Sequence, residues 1–353
     1  MGMLRRSKAL VVAAAVVALA EAGARVVDAQ VAPPVTWDSP YTQDKAAQIV
    51  EIADDFDGAG IVLLGSSIVN AGIDPERLVA SLGGAAVAYN AGIPGASAGT
   101  WRLWANDTVY PYLCPGLVVI GVTVRDVNDN APGVRSDPTA YLESRGRRVF
   151  VGAAGAAERA ESLVDSVSSL VAVRGLLRRP ADVLRVLLGR PVEGWRVTRL
   201  TEFGRYFAFD DHTYRIDEGR REALRSGAFR EFAVGGAELQ AVAGMIEDAH
   251  RNGAVAVLME TPVMERDLAD LLPGGSADLA AFRAALDSIA PATGFPVLRF
   301  PDLADRAELF ADEYHLNGAG VAVVTGRLAL ALEPIWGIAP PAGSCAQADV
   351  GMP

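Results

Sequence analysis

The sequence is poor in the residues that build metal centres and disulfide frameworks. Its 353 residues include only two cysteines, Cys114 and Cys345, and three histidines, His212, His250 and His315. They are too few and too scattered for a Cys/His zinc site, so we expect neither a metal nor another cofactor. The two cysteines could pair in an oxidising compartment or remain structural thiols, and the sequence leaves both open.

Basic residues are also in deficit, with 32 Lys and Arg against 43 Asp and Glu and a formal net charge of −11. A nucleic-acid-binding protein needs a basic face, so we expect no nucleic-acid partner. The chain is 51% hydrophobic, and a chain of this length can bury a large core without covalent staples. This composition excludes a disordered chain and a polytopic membrane protein.

The one long uninterrupted apolar run lies at the N-terminus. It covers residues 9–20 and follows three basic residues between positions 5 and 8. Twelve residues are fewer than the roughly 18–20 that span a bilayer, and are typical of a signal-peptide core. We predict that residues 1–30 are a cleaved signal peptide or a retained membrane anchor, with a buried helix as the remaining alternative. Residues 31–45 read as a linker, and the rest of the chain is expected to be extracytoplasmic, secreted or membrane-anchored.

Short apolar runs of strand length alternate with segments of helical spacing from residue 46 onward. Five runs are predicted strands: 61–64, 87–89, 117–120, 254–259 and 297–300. Runs that are apolar on both faces are typical of a parallel sheet covered by helices. The pattern predicts a doubly wound α/β domain, with its functional residues beyond the carboxyl ends of the strands.

Residues 135–230 interrupt this alternation. They hold 18 arginines and 13 acidic residues and show helical patterns but no clear strand. We predict a mostly helical insertion within a catalytic domain that covers residues 46–338, followed by a flexible tail at 339–353. The insertion could bind an anionic polymer or lipid headgroups. The favoured interpretation is a solvated helical face in a chain with 30 arginines and two lysines.

Two short fragments carry residues suited to acyl chemistry. Gly65-Ser66-Ser67 follows the first predicted strand, where a tight strand-to-helix turn would expose a hydroxyl above the sheet. Either serine could instead be a helix N-cap. Asp312 stands three residues before His315. A carboxylate at that spacing can fix the tautomer of the imidazole and leave its other nitrogen as a general base.

Together these fragments resemble the SGNH (GDSL-type) hydrolases. Gly65-Ser66-Ser67 is similar to the first block of that family, with Ser66 in place of an aspartate, and Asp312-x-x-His315-Leu316-Asn317 is similar to its last block. The resemblance implies a flavodoxin-like three-layer sandwich around a central parallel sheet. It also implies that Ser67 is the nucleophile, His315 the base and Asp312 its orienting partner.

The resemblance extends to the residues that would bind the oxyanion. The stretch 89–95 is similar to the second block, which implies that the backbone N–H groups of Gly92 and Ser67 form the oxyanion hole. The third block of the family carries an asparagine where this chain has Thr123. The third donor is therefore left open between Thr123 and Asn128.

Three further residues are weaker candidates for substrate binding: Asn90, Arg125 and Trp101. They lie near the predicted strand ends or in the segment after Gly92. For Trp101, packing in the core is the favoured alternative.

The stretches 65–67, 72–75 and 121–126 are similar to those of a membrane-tethered or secreted subset of the superfamily. This subset includes relatives of alginate O-acetyltransferases and of the D-alanyl-lipoteichoic-acid biosynthesis protein. The likeness implies an extracytoplasmic serine esterase or deacetylase acting on acyl esters, as of cell-envelope or exopolysaccharide carbohydrate. One alternative is an O-acyltransferase with a membrane partner that delivers the acyl group. Another, motivated by the missing third-block asparagine, is a non-catalytic protein that binds an envelope polymer.

Overall fold

Four parallel strands form the central sheet. They are β1 (Gly60–Leu64), β2 (Val87–Asn90), β3 (Leu117–Val122) and β4 (Val255–Glu260), in the spatial order β2-β1-β3-β4. The computed structural model describes residues 2–30, 40–56, 60–84, 87–132, 134, 137–172, 180–188, 200–206 and 209–337. Strands β1 and β3 are buried along their whole length, because helices cover both faces of the sheet. The predicted α/β fold with a central parallel sheet is confirmed.

The strand order creates a crevice between β1 and β3. The chain passes from β1 to β2 on one side and then returns to place β3 on the other side. In open α/β sheets the ligand-binding crevice lies at this reversal, beyond the carboxyl ends of the strands. Leu64 pairs with Ile120 across it, so the turns that follow these two strands meet at the same edge.

The helices have the following bounds: α1 (Gly2–Gln30), α2 (Pro40–Phe56), α3 (Ser67–Gly72), α4 (Pro75–Ser81), α5 (Ala98–Trp104), α6 (Tyr110–Leu113), α7 (Asp137–Glu143), α8 (Arg145–Phe150), α9 (Ala156–Val167), α10 (Ser169–Ala172), α11 (Pro180–Leu187), α12 (Glu218–Ser226), α13 (Ala237–Arg251), α14 (Glu265–Ala269), α15 (Ser276–Ile289) and α16 (Gly318–Trp336). A π-helical segment, Ala105–Val109, joins α5 to α6. Short 3-10 helices occupy Val124–Val127, Ala290–Thr293, Pro301–Leu303 and Ala307–Leu309.

Helix α16 is the core helix that follows the predicted catalytic histidine. Within the described residues it alone is long and apolar enough to cross a membrane. Its side chains Val321, Val324, Leu328 and Leu332 are buried in the hydrophobic core beside the sheet. That packing explains its apolar character without a bilayer.

The fifth predicted strand, at 297–300, is reduced to one β-bridge. Leu298 pairs with Met259, donating to the carbonyl of Leu258 and accepting from the N–H of Glu260. Pro296 and Pro301 flank the segment, and Pro301 opens a 3-10 helix. Because proline lacks a backbone N–H and fixes φ, the ladder cannot extend in either direction.

The chain divides into two compact units. Unit 1 comprises Met1–Gln43 and Leu142–Thr198, and unit 2 comprises Asp44–Tyr141 and Arg199–Pro353. The last part of the predicted insertion, residues 199–230, therefore folds with the sheet. Helix α2 begins at Pro40, inside the predicted linker. Residues 31–39 and the predicted tail lie outside the described residues.

Cys114 follows α6 in a left-handed conformation, with φ of 39°, and is disulfide-bonded. Its sulfur is therefore not a free thiol. The other cysteine of the chain, Cys345, lies outside the described residues.

Candidate active site

A sharp turn after β1 places Ser67 at the start of α3. Gly65 has φ of +156°, and a Cβ there would lie 2.7 Å from the carbonyl oxygen of Gly121, so the turn requires glycine. Ser66 is the N-cap, and its hydroxyl accepts from a backbone N–H of the helix at 3.5 Å. The capping role thus falls to Ser66, and the Ser67 hydroxyl is available for a different contact.

Ser67, His315 and Asp312 form one hydrogen-bonded chain. Ser67 Oγ lies 3.0 Å from His315 Nε2. His315 Nδ1 lies 2.8 Å from Asp312 Oδ2 and 3.1 Å from Oδ1. Ser67 and His315 are 8% and 7% exposed, so the chain is largely shielded from water. This is the geometry in which a carboxylate orients an imidazole that takes a proton from a serine.

The turn that carries the histidine is fixed by its own backbone. Asp312 Oδ1 accepts the N–H groups of Tyr314 at 3.1 Å and His315 at 2.9 Å. Asn317 then caps α16, because its side chain accepts the N–H of Gly320 at 3.0 Å. The carboxylate is therefore held before any substrate binds, and the orientation of the imidazole follows from it.

Arg220, from α12, contacts the same carboxylate. Its Nη1 donates to Asp312 Oδ2 at 2.5 Å, and its Nη2 lies 4.0 Å from Glu313 Oε2. Its guanidinium also lies over the ring of Tyr314, 5.1 Å from the centroid. Two buried carboxylates in this turn thus share one cation, which offsets part of their burial cost.

The surroundings favour an ionised Asp312 and a neutral His315. Burial acts to raise the pKa of Asp312, but the bonds from His315 and Arg220 hold it well below its usual range. The pKa of His315 is lowered, first by burial and then by the positive charges of Arg220 and Arg125, against the opposing effect of Asp312. A neutral imidazole can accept the serine proton.

Phe209 covers one face of the His315 imidazole. The two rings stack with centroids 4.1 Å apart and planes 18° apart. His212 meets the edge of Phe209, 5.8 Å between centroids, and the Asp210 carbonyl accepts the N–H of Gly318 at 3.0 Å. The segment around residue 210 therefore lies against the last motif.

The predicted oxyanion donor Thr123 has a different role. Its hydroxyl donates to Asp126 Oδ2 at 2.8 Å, and its N–H donates to the same atom at 2.9 Å. The hydroxyl of Ser66 also bonds to Asp126. Burial raises the pKa of this carboxyl, although the bonds from Thr123 oppose the rise. Asp126 thus joins the turn after β1 to the turn after β3. The Thr123 hydroxyl already donates to this carboxylate, so it is not free to donate to an oxyanion.

Asn128, the other candidate for the third donor, is also engaged. Its side chain is fully buried. Its amide nitrogen donates to the carbonyl of Ala228 at 2.8 Å, and its oxygen accepts from the N–H groups of Asn130 and Ala233. We therefore correct this prediction: Asn128 ties backbone segments together.

The second motif packs against the nucleophile turn through Gly92. A Cβ at this position would lie 3.1 Å from the carbonyl oxygen of Ser66. The Gly92 N–H donates to Asn90 Oδ1 at 3.2 Å, so it has an internal acceptor here. The predicted role of the Gly92 N–H in the oxyanion hole stays a prediction. It requires this N–H to donate to the oxyanion as well as, or instead of, to Asn90. The N–H of Ser67 lies in the first turn of α3, where backbone donors have no intrahelical partner.

Asn90 and Trp101 are both enclosed within the protein. Asn90 is fully buried, and its amide nitrogen donates to the carbonyls of Val69, Asn70 and Ile73 at 2.9–3.3 Å, which ties down the end of α3. Trp101 is fully buried in the core. Both substrate-binding predictions are corrected, because the polar groups of Asn90 are used by the backbone and the ring of Trp101 is enclosed.

Arg125 lies in the 3-10 helix after β3 and is half-buried. Its charge is near enough to His315 to lower the pKa of the imidazole. Its place at the crevice is consistent with the prediction that it binds substrate, which stays a prediction.

Sequence reasoning missed Arg220 and Phe209. Both belong to the stretch that interrupts the strand–helix alternation, and Arg220 is one of 18 arginines there. Among the described residues no group of three or more His, Cys, Asp or Glu side chains comes together in a way that could hold a metal ion.

Comparisons with known proteins give only distant structural likeness. No protein-family model matches the chain, and no curated protein matches it. Among solved structures, the chain is similar to an acetyl xylan esterase, AlAXEase, at 12% sequence identity with a TM-score of 0.39. The match covers 77% of this chain and 99% of that structure.

Proposed function

We propose that this chain is a serine esterase that cleaves acyl esters through an acyl-enzyme on Ser67. The observation that carries the proposal is the continuous bonding from Ser67 Oγ through His315 to Asp312, with 3.0 Å and 2.8 Å between the bonded atoms. The resemblance of the motifs around these residues supports it.

The reaction follows from this geometry. Ser67 Oγ attacks the ester carbonyl as its proton passes to His315 Nε2, and Asp312 stabilises the resulting imidazolium. When the tetrahedral intermediate collapses, the C–O bond to the alcohol breaks and Nε2 returns the proton to the departing oxygen. Water then attacks the acyl-enzyme by the same route in reverse and releases the acid and free Ser67.

The oxyanion hole sets the expected strength of the activity. The Ser67 N–H is placed to receive the developing charge, and Gly92 is the second proposed donor. With Thr123 and Asn128 bonded elsewhere, one side-chain donor is lacking, which typically costs about 10²–10³ in rate. We therefore expect slow turnover of simple activated esters.

Labelling with a fluorophosphonate tests the proposal on the full chain. We expect the label on Ser67, and its loss in Ser67→Ala and His315→Ala, with the rate of ester hydrolysis reduced by at least about 10³-fold. Ser66→Ala is the matched control, because it removes the neighbouring hydroxyl and should keep the label. A folded wild-type protein that takes no label would contradict the esterase proposal and favour a non-catalytic binding protein.

The proposed substrates are acylated carbohydrates outside the cytoplasm. The support is the basic, apolar N-terminal segment and the resemblance to envelope-modifying proteins. The disulfide at Cys114 is consistent with an oxidising compartment. Release of acetate from acetylated polysaccharides would test the substrate, and fractionation of cells would test the location.

Burial of the site favours acyl transfer as a second candidate function. Ser67 and His315 are almost enclosed, and exclusion of water protects an acyl-enzyme from hydrolysis. A sugar hydroxyl would then take the place of water. In the presence of an acyl donor, added oligosaccharide should divert acyl groups from the free acid to the sugar, whereas a hydrolase would release the same acid with or without it.

A further inference from the structure

Three helices of unit 1 carry apolar side chains on their surface. On α1 these include Val12, Val16 and Leu19, on α9 Val164 and Val167, and on α11 Leu184 and Leu187, with Leu188 directly after the helix. On α9 and α11 the spacing of these residues places them on one stripe, whereas on α1 the exposed Val17 lies away from the line of Val12, Val16 and Leu19. Val16, Val167 and Leu184 are 59%, 66% and 57% exposed. A soluble monomer rarely leaves several such stripes uncovered in one unit.

The N-terminal helix belongs to this unit and is bonded to it. Glu21 accepts the hydroxyl of Ser168 at 2.8 Å and the N–H groups of Ser169 and Leu170 at 2.8 and 3.2 Å. Ala24, one turn further along, is buried. Removal of residues 1–30 as a signal peptide would leave the start of α10 without this acceptor. The contacts therefore support a retained helix.

The apolar part of α1 is too short to cross a bilayer alone. Its twelve-residue run would extend about 18 Å at 1.5 Å per residue, against a hydrocarbon core of about 30 Å. Helices with one apolar and one charged face instead lie in the interface, with the apolar face buried among lipid. Helix α9 has this form, because Glu158, Arg159 and Glu161 lie among its polar residues.

The net charge of unit 1 also favours a lipid surface as its partner. Unit 1 contains 14 basic and 9 acidic residues, a net charge of +5, whereas unit 2 contains 18 and 34, a net charge of −16. Basic residues beside an apolar face strengthen binding to anionic headgroups. A second copy of the chain would bring two positive units together, which opposes association.

We propose that unit 1 is a monotopic membrane-docking module, in which α9 and α11 of the insertion lie in the lipid interface together with α1. The proposal rests on the membrane location of the proposed function and adds the surface that meets the lipid. The insertion thus supplies apolar area that the short N-terminal run lacks.

Photocrosslinking on vesicles tests this surface. The full chain is bound to phosphatidylglycerol/phosphatidylethanolamine vesicles with p-benzoyl-phenylalanine in place of Val167 or Leu184. The same photoreactive residue in place of Val16 tests whether the N-terminal helix α1 contacts lipid. In place of Leu330, which is 68% exposed on α16 of unit 2, it is the water-facing control. We expect lipid adducts at 167 and 184 in a yield comparable to that at position 16, and no adduct at 330.

The other outcomes overturn the proposal and separate it from the membrane location. Adducts at position 16 with none at 167 or 184 would leave a simple N-terminal anchor and exclude the insertion helices from lipid. Crosslinks between chains at 167 or 184 would identify a second copy as the occupant. No adduct at any position, including 16, would contradict the membrane location itself.

Discussion

At the scale of single residues, Arg220 is the contact that distinguishes this site from a simple serine–histidine–aspartate chain. Its positive charge lies against the Asp312 carboxylate. It therefore opposes the stabilisation that this carboxylate would give to a His315 imidazolium. Asp312 and Arg220 thus act on His315 in opposite directions, and the lowered pKa of His315 reflects burial first and the cations Arg220 and Arg125 after it. The base is kept neutral, and so competent, in more acidic solution than a free histidine would be.

Replacement of Arg220 should shift the pH dependence of the proposed esterase activity. Removal of the cation in Arg220→Gln favours the imidazolium, so the pKa of His315 rises and the acid limb of kcat/KM moves to higher pH. Arg220→Lys keeps the charge and should shift the limb less. Arg225→Gln, on the same helix but paired with Glu222 at 3.9 Å, is the control and should not shift it. A uniform loss of activity at every pH in Arg220→Gln would show a structural role only.

Asn90 should matter for stability and not for substrate affinity. Asn90→Ala removes three bonds to carbonyls at the end of α3 and leaves buried acceptors unpaired, so we expect the free energy of unfolding to fall by about 1–3 kcal/mol. KM should be unchanged. Asn252→Ala, which removes one bond at the exposed end of α13, should cost about 0.5 kcal/mol or less. A raised KM with unchanged stability in Asn90→Ala would return this residue to the substrate site.

At the scale of elements, α16 holds the histidine motif through one close approach. A Cβ on Gly320 would lie 2.0 Å from the carbonyl oxygen of Leu309, whereas nothing lies within 4 Å of a Cβ on Gly326, six residues further along. The Leu309 carbonyl also accepts the N–H of Asn317, so a shift there would disturb the cap beside His315.

The two glycines should therefore respond in opposite directions to alanine. Gly320→Ala should lower the free energy of unfolding by about 1–3 kcal/mol or more, since backbone must move. Gly326→Ala should be neutral or stabilising by up to about 1 kcal/mol, because alanine is the better helix former. Denaturant unfolding of both variants measures the difference, and equal effects would contradict the close packing of α16.

Strands β1, β3 and β4 were predictable from sequence to within two residues because both faces of each strand are buried, which leaves continuous apolar runs. The run at 297–300 looked the same, but its flanking prolines limit it to one bridge. Polar residues were harder to interpret. A buried asparagine that serves backbone carbonyls, such as Asn90, has the same local sequence as one that faces substrate. Arg220 carries no local signal, because tertiary packing alone brings it to Asp312.

At the scale of the whole molecule, two units of opposite charge share one chain. The triad residues, Arg220 and Phe209 all belong to unit 2, and the N-terminal helix with α9 to α11 belongs to unit 1. Residues 142–198 leave unit 2 and fold in unit 1. The helical insertion was predictable from sequence because it interrupts the alternation of strands and helices. Its partition between the units was not, since residues 142–198 and 199–230 are both rich in arginine.

Loosening unit 1 should not impair the chemistry of Ser67. In Glu21→Ala the three bonds to residues 168–170 are lost, so amide hydrogen exchange of α10 should become faster. Arg25→Ala, which removes only an exposed pair at 3.5 Å, is the control and should exchange as the wild type does. Fluorophosphonate labelling of Ser67 should proceed at the wild-type rate in both. Unchanged exchange in Glu21→Ala would show that the helix contacts do not depend on this carboxylate.

The stacking of Phe209 on His315 has a consequence for the path of the proton. An imidazole could in principle turn over about its Cβ–Cγ bond, which would put a ring carbon in the place of each nitrogen. A phenyl ring 4.1 Å away and nearly parallel obstructs that rotation, because the imidazole edge would have to sweep through it. Nε2 therefore stays directed at Ser67. In the proposed reaction the departing alcohol must collect its proton on that same side, so a substrate has to bring its leaving oxygen within reach of one fixed nitrogen.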